Sequence, residues 1–354
     1  LGMGNMRLPV RGGKIDRQKA QAIIDYAMEQ GINYYDTAYV YHSGESEPFL
    51  GEALRKYPRD SYHLATKFYV MANPNIEQVF EEQLRKLRTD YIDFYLLHCV
   101  NEETMAAYMD KNRHYMDFLL EQKAQGRIRH IGFSSHGKPE TLEKFLNWSD
   151  AFEFVQIQLN YLDWTMQNAK RQYEIITEHG LPVWVMEPVR GGRLASLGEQ
   201  YDALLKQAKP DWSVPAWAFR WLMGLPGVTM ILSGMTTLEQ IRDNVATFQT
   251  EEALTPEQNM LLTNAAAGYQ SRLAVPCTAC RYCCDGCPEH IDIPRWMNLY
   301  NELHLTQDQA VWENAMKDAM NPAACIGCGQ CTSHCPQSID VPGYLQKLAG
   351  WPVR

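Results

Sequence analysis

Cysteine is almost missing from most of this chain. Before Cys277 there is only Cys99, and the other nine of the ten cysteines crowd between Cys277 and Cys335. That distribution excludes a disulfide framework, which staples small secreted domains short of core. With 354 residues, 45% of them hydrophobic, this chain has core to bury. The crowding reads instead as metal ligation in a reducing cytoplasm. Basic charge is also short: 33 Lys and Arg face 42 Asp and Glu, for a net charge of -9. A nucleic-acid partner or an anionic membrane surface calls for clustered positive charge, so neither is expected. No apolar run approaches the roughly 20 residues of a spanning helix. No signal-peptide pattern follows Leu1, where the sequence begins.

The crowded stretch says one phrase twice. CTACRYCCDGCP begins at Cys277 and CIGCGQCTSHCP at Cys325, both spaced C-x2-C-x2-C-x3-C-P. This is the bacterial-ferredoxin signature for two 4Fe–4S clusters, in which the fourth cysteine of each run ligates the other cluster. The crossed pattern assigns Cys277, Cys280, Cys283 and Cys335 to one cluster. Cys325, Cys328, Cys331 and Cys287 go to the other. Cys284 has no counterpart in the second copy and is read as a non-ligand. Paired zinc sites are the alternative, but zinc favours two CxxC pairs or Cys/His mixtures over a triple run ending before proline. The spacer between the runs holds helical patterns such as IPRWMNLYNELH, and this part resembles the helical dicluster modules of multi-domain redox enzymes.

Ahead of it, short β-like runs alternate with helical ones. The runs are Ile32–Ala38, His63–Tyr69, Tyr91–His98, His130–Ser134, Phe152–Asn160, Pro182–Glu187 and Val228–Gly234, and LGMGNMRL at the start makes eight. In IEQVFEEQLRKL, Ile76, Val79, Phe80, Leu84 and Leu87 share one helical face. Eight strands and about eight helices in this length predict an α/β fold, a (β/α)8 barrel. A small, mainly helical iron–sulfur domain follows it. An open doubly wound sheet is the runner-up, but no strand leads into a Gly-x-Gly-x-x-Gly turn. The expected layout is a barrel over 1–250, a helical connector over 251–275 and the cluster domain over 276–354.

Barrel enzymes assemble their sites where strands end. Asp36, Lys67 and His98 end the second, third and fourth strands, and Tyr41 follows Asp36 in its loop. Singly, each has a structural reading: an ion pair, a core histidine, a wall tyrosine. Together, in DTAYVYHSGESEPFLGEAL, ATK and LLH, they resemble the aldo-keto reductase family over essentially the whole barrel. The resemblance implies interconversion of a carbonyl and an alcohol. Tyr41 would supply the proton, and the Lys67 ammonium would make its phenol more acidic. Asp36 would anchor the lysine, and His98 would orient the carbonyl oxygen.

The same resemblance implies that NAD or NADP is held by Ser134, Ser135, Gln156 and Met186, with Gly234, Met235, Thr236, Gln240 and Asn244 at the phosphate end. Serine stands at 135 where the family has asparagine, methionine at 186 where it has an aromatic ring, and Arg242 is the one cation in the phosphate segment. Hydride chemistry moves two electrons and each cluster one, so a flavin is a candidate converter. Three readings stay open. The barrel is an oxidoreductase whose clusters trade electrons with a ferredoxin, flavodoxin or other redox protein. Or the clusters are structural and nicotinamide chemistry runs alone. Or the barrel is a non-catalytic binding module in an electron-transfer or regulatory subunit. Three smaller expectations concern Cys99, aromatic residues and a loop. Cys99, beside His98, either sits near the pocket or is buried and inert, and Tyr39, Phe68, Tyr69 and Trp164 either line a pocket or pack the rim. The stretch after Arg190 is expected to cover the cofactor.

Overall fold

The computed structural model describes residues 1–250, 252–278, 280–306 and 309–351. The expected boundary residue Glu251 and the chain end at 354 lie outside these. Backbone contacts divide the chain into two units, one of residues 1–189 and 209–259, the other of residues 190–208 and 260–354. The division thus falls inside the helix Pro256–Gln270 and groups the stretch after Arg190 with the cysteine-rich part.

The first unit is a closed barrel of eight parallel strands. In chain order the strands are β1 (Gly2–Gly4), a small antiparallel hairpin of β2 (Val10–Arg11) and β3 (Lys14–Ile15), then β4 (Tyr34–Asp36) and β5 (His63–Phe68). There follow β6 (Ile92–Val100), β7 (Ile128–Ser135), β8 (Phe154–Gln158), β9 (Val183–Met186) and β10 (Val228–Ser233). Each barrel strand pairs with the next, and β1 closes the ring between β10 and β4. All eight expected strands are present, with ends shifted by a few residues. The hairpin is an addition that the pattern left unread. Its turn residues Gly12 and Gly13 both take positive φ, the mirror-image turn that matches strand twist.

Apolar periodicity explains how helices clothe the barrel. On the helix Ile76–Leu87 all five expected residues are buried, and so is Gln83. Inside the cylinder, Tyr34, Ala65, Leu96, Phe154, Trp184 and Leu232 form one apolar cluster. Side chains from six strands can meet in that way only within the barrel. Gly132 and Gly2 complete the layer, because a Cβ at either would strike the rings and chains already there.

The second unit is built from helices and loops, chiefly Glu199–Ala208, Ile293–Thr306, Gln309–Ala315 and Val341–Ala349. Its core sets Val275, Ile291, Trp296, Met297, Leu303 and Leu345 against the cysteines themselves. Asn301 ties down the approach to Cys277: its Oδ1 accepts from the backbone N–H of Ala274 (2.9 Å) and Val275 (2.7 Å).

Candidate active site and candidate metal centre

Strand side chains alternate with period two, so the residue two places beyond each interior one faces inward again, nearer the barrel mouth. Counting on from Tyr34, Ala65, Leu96, Gly132, Phe154, Trp184, Leu232 and Gly2 gives Asp36, Lys67, His98, Ser134, Gln156, Met186, Gly234 and Gly4. One ring of positions therefore gathers three of the four expected catalytic residues and four of the expected cofactor residues. Tyr41 joins them from the loop after β4. The Lys67 ammonium donates to Asp36 Oδ1 (2.5 Å) and the Thr37 carbonyl (2.8 Å), and lies 3.4 Å from the Tyr41 hydroxyl. The Tyr41 and His98 rings meet edge to face, 5.7 Å between centres.

All four side chains are buried. Burial holds Lys67 below the usual lysine range, opposed by Asp36, and pushes the Asp36 carboxyl up, opposed by Lys67. His98 is held well below the usual imidazole range by burial and then by Lys67 and His136, so it is neutral near pH 7. A neutral imidazole still carries one N–H to donate. Tyr69, the other phenol against His98 at 5.5 Å between rings, is pushed up to about 12 by burial.

A bulge aims His98. Between Leu97 and Val100 the β6–β7 register slips, and Cys99 takes φ 57 at the slip. Its N–H donates to Ser134 Oγ (2.9 Å), and its carbonyl accepts from Thr104 (2.8 Å). Cys99 is thus part-exposed beside the mouth rather than fully buried. Behind Lys67, the buried Glu47 accepts from Thr66 (2.6 Å) and Gln83 (2.8 Å), and Gln83 also donates to the Lys67 carbonyl (3.1 Å).

The expected cofactor residues divide. Gln156 Oε1 is buried with no hydrogen-bond partner among the described residues. Ser135 Oγ donates to the Val100 carbonyl (3.3 Å) and accepts from Gly137 N–H (3.3 Å). Asn244 donates to Ser233 (2.9 Å), and Met235 lies in the hydrophobic core. Gln240 and Thr237 close a capping box at the start of the helix Leu238–Phe248, with Gln240 Oε1 accepting from Thr236 N–H at 2.7 Å. Arg242 lies over the Tyr26 ring. Among the aromatics, Tyr39 bonds Glu82 and Trp164 packs on Tyr173 and Trp221, while Phe68 packs on Tyr108 and Tyr115. Tyr69 is the one beside His98.

In the second unit two cavities separate the cysteines. One is lined by Cys277, Cys280, Cys283 and Cys335, with Ile293, Met297, Ile339 and Val341 around them. The other is lined by Cys287, Cys325, Cys328 and Cys331 with Ile291, Ile326, Pro342 and Leu345. The division follows the crossed pattern, and Cys284 lines neither cavity. Among the described residues no group of three His, Cys, Asp or Glu is placed to hold a single metal ion. A longer repeat accounts for the pairing: CPEHIDIP and CPQSIDVP start at Cys287 and Cys335, and each puts its apolar pair beside a cavity.

Comparison with known proteins bears on both units. The aldo/keto reductase family model matches residues 1–266. The chain belongs to that family. A 4Fe–4S dicluster domain model matches residues 276–339 of this aldo/keto reductase. It is similar to the NADH-specific methylglyoxal reductase of Escherichia coli, 26% identical over 70% of this chain and 88% of the relative. Among solved structures it resembles the holo form of aldo-keto reductase AKR11C1 from Bacillus halodurans. That match has 28% identity and TM-score 0.62, covering 75% of this chain and 91% of that one. A Klebsiella pneumoniae aldo-keto reductase in complex with NADPH shares the fold at 22% identity and TM-score 0.62, over 76% and 90%.

Sequence reading missed several residues that this aldo/keto reductase sets around its site. Glu47 and Gln83 sit on helices, where only their place on the apolar face signals burial. His136, just past β7, is held at about 4 by burial and then Lys67. Arg7 lies at the far end of the sequence from Gly234 yet rests against it. No helix among the described residues is long and apolar enough to cross a membrane.

Proposed function

We propose that this aldo/keto reductase interconverts a small carbonyl compound and its alcohol, with Tyr41 as proton donor. The observation that carries the reading is the Tyr41 hydroxyl 3.4 Å from an ammonium that is itself locked to Asp36 inside the barrel mouth. A positive charge at that distance favours the phenolate and makes the hydroxyl a better acid. Neutral His98 donates its N–H to the carbonyl oxygen and fixes it beside Tyr41, so that the proton arrives where charge develops. Asp36 and the Thr37 carbonyl hold Lys67 in place without taking its proton away.

The mouth fits a nicotinamide. The orphaned Gln156 Oε1 suits the N–H of a carboxamide. Ser134 and Met186 stand on the same ring of strand positions as Gln156. Bound there, the cofactor supplies the hydride. The similar methylglyoxal reductase points to small aldehydes as substrates, and NAD and NADP both stand as cofactors.

The two cysteine-lined cavities fit two 4Fe–4S clusters, held by the crossed sets of four. So held, the clusters would supply one-electron transfer to a carrier such as a ferredoxin or flavodoxin, a reading supported by Cys328 lying exposed. A flavin as converter belongs to the same proposal. The test is anaerobic assay of the iron-loaded protein with small aldehydes and NADH or NADPH, alongside iron, sulfide and flavin analysis. Wild type should reduce an aldehyde, and Tyr41→Phe should lose about 10²–10⁴ of that rate. Equal turnover by the two removes Tyr41 from the mechanism.

A further inference from the structure

We propose that Arg7 is the phosphate-binding cation of the barrel mouth, and that Glu187 occupies its guanidinium until a dinucleotide phosphate displaces the carboxylate. The proposal rests on the nicotinamide reading above.

Topology brings the partners together. β1 pairs with β10, Met3 beside Ser233, so the turn Asn5–Arg7 that follows β1 runs alongside Gly234–Thr236. The Arg7 carbonyl accepts from Thr236 Oγ1 at 2.8 Å. Its side chain lies flat on Gly234: a Cβ there would come within 3.0 Å of Arg7 Cβ, 3.1 Å of Cγ and 3.2 Å of Cδ. Glycine at 234 thereby gives the arginine its path across the rim. At the end of that path the guanidinium meets Glu187 Oε1 at 3.0 Å, just past β9.

The loops after the last barrel strands, with the helix start beside them, are where this architecture gathers phosphate. Here the helix start offers little, because Gln240 Oε1 already accepts from the N–H groups of Thr236 (2.7 Å) and Thr237 (3.2 Å). The nearby Arg242 lies over the Tyr26 ring, 5.6 Å from its centre. Arg7 is the cation that the fold places on the loop itself.

Glu187 has the features of a placeholder. It engages Arg7 through one oxygen, while Oε2 is buried without a hydrogen-bond partner among the described residues. A carboxylate oxygen left so is costly. Its backbone is held at φ 57, the left-handed region that an L residue enters at a cost. A phosphate accepts from both arms of a guanidinium, a stronger contact than one carboxylate oxygen supplies.

The test is tryptophan-fluorescence titration of the full, iron-loaded chain with NADH, NADPH and reduced nicotinamide riboside, which has no phosphate. Arg7→Ala should weaken dinucleotide binding roughly ten- to hundredfold, flatten its salt dependence and leave riboside binding unchanged. A loss shared by NADH and NADPH assigns Arg7 to the pyrophosphate, and a loss confined to NADPH assigns it to the extra phosphate. Glu187→Gln should tighten dinucleotide binding severalfold, and this arm stands alone if Arg7→Ala fails to fold. The proposal is overturned if Arg7→Ala binds dinucleotide as wild type does. It is also overturned if Glu187→Gln does not tighten binding, or if riboside and dinucleotide weaken together as a purely structural clamp would make them. Wild type that binds the riboside and neither dinucleotide overturns it too, while wild type that binds none of the three overturns the nicotinamide reading beneath it.

Discussion

The barrel mouth and the cysteine unit prepare their chemistry in opposite ways. At the mouth, Asp36, Lys67, Tyr41 and His98 are assembled by strand register and held by hydrogen bonds within the chain. A continuous core from the same unit surrounds them. In the cysteine unit the core is small, and the thiols themselves form part of its packing around two cavities. A small core with reactive groups at its centre depends on what fills it. The barrel is therefore expected to be ordered without its ligand, and the cysteine unit to need its iron.

The largest effect should come from breaking the second arrangement. Cys331→Ala should remove about half the iron and lower the melting temperature of the cysteine unit, leaving the barrel's melting transition in place. Calorimetry with iron analysis reads this, and a single transition lost as a whole would show that the units do not differ as described.

Next comes the ion pair at the mouth. Lys67→Met leaves a buried carboxylate unpaired and should cost about 3–5 kcal/mol of barrel stability as well as activity. Adding Asp36→Asn should restore much of the stability and none of the turnover. Recovery of both would make the pair structural alone.

The smallest effect is on pH dependence. His98 and His136 are both held below the ordinary imidazole range by burial. Below about pH 6.5 the unfolded chain therefore binds protons that the folded barrel refuses, and stability falls as pH falls. Each histidine contributes a slope of about 1.4 kcal/mol per pH unit, ending for His136 near its value of about 4. His136→Asn should flatten the acid side of the stability curve measured by denaturant unfolding, and an unchanged slope would place that imidazole in water.

Much of the site was readable because barrel chemistry is local in sequence. Asp36, Lys67 and His98 each close a run of strand residues, and period two carries them to one ring. The cysteine phrase was readable because ligand spacing is itself a geometric statement. What escaped depended on contacts across the ring. Arg7 and Gly234 are neighbours only because β1 closes on β10, so the phosphate segment seemed to have Arg242 alone. Ser135 and Asn244 rest on the family resemblance, and no sequence pattern shows that Val100 and Ser233 take their hydrogen bonds. The stretch after Arg190 offered no cue either: Arg190 donates to the Pro276 carbonyl (2.8 Å), a contact made to a distant part of the chain.

The most direct measurement compares kcat/KM for one small aldehyde in wild type and Tyr41→Phe, each with iron loaded and with iron removed. The account predicts the same fall of about 10²–10⁴ from the lost hydroxyl in both states, because the mouth is built by the barrel alone. A turnover indifferent to Tyr41, or a Tyr41 effect that vanishes with the iron, would contradict it.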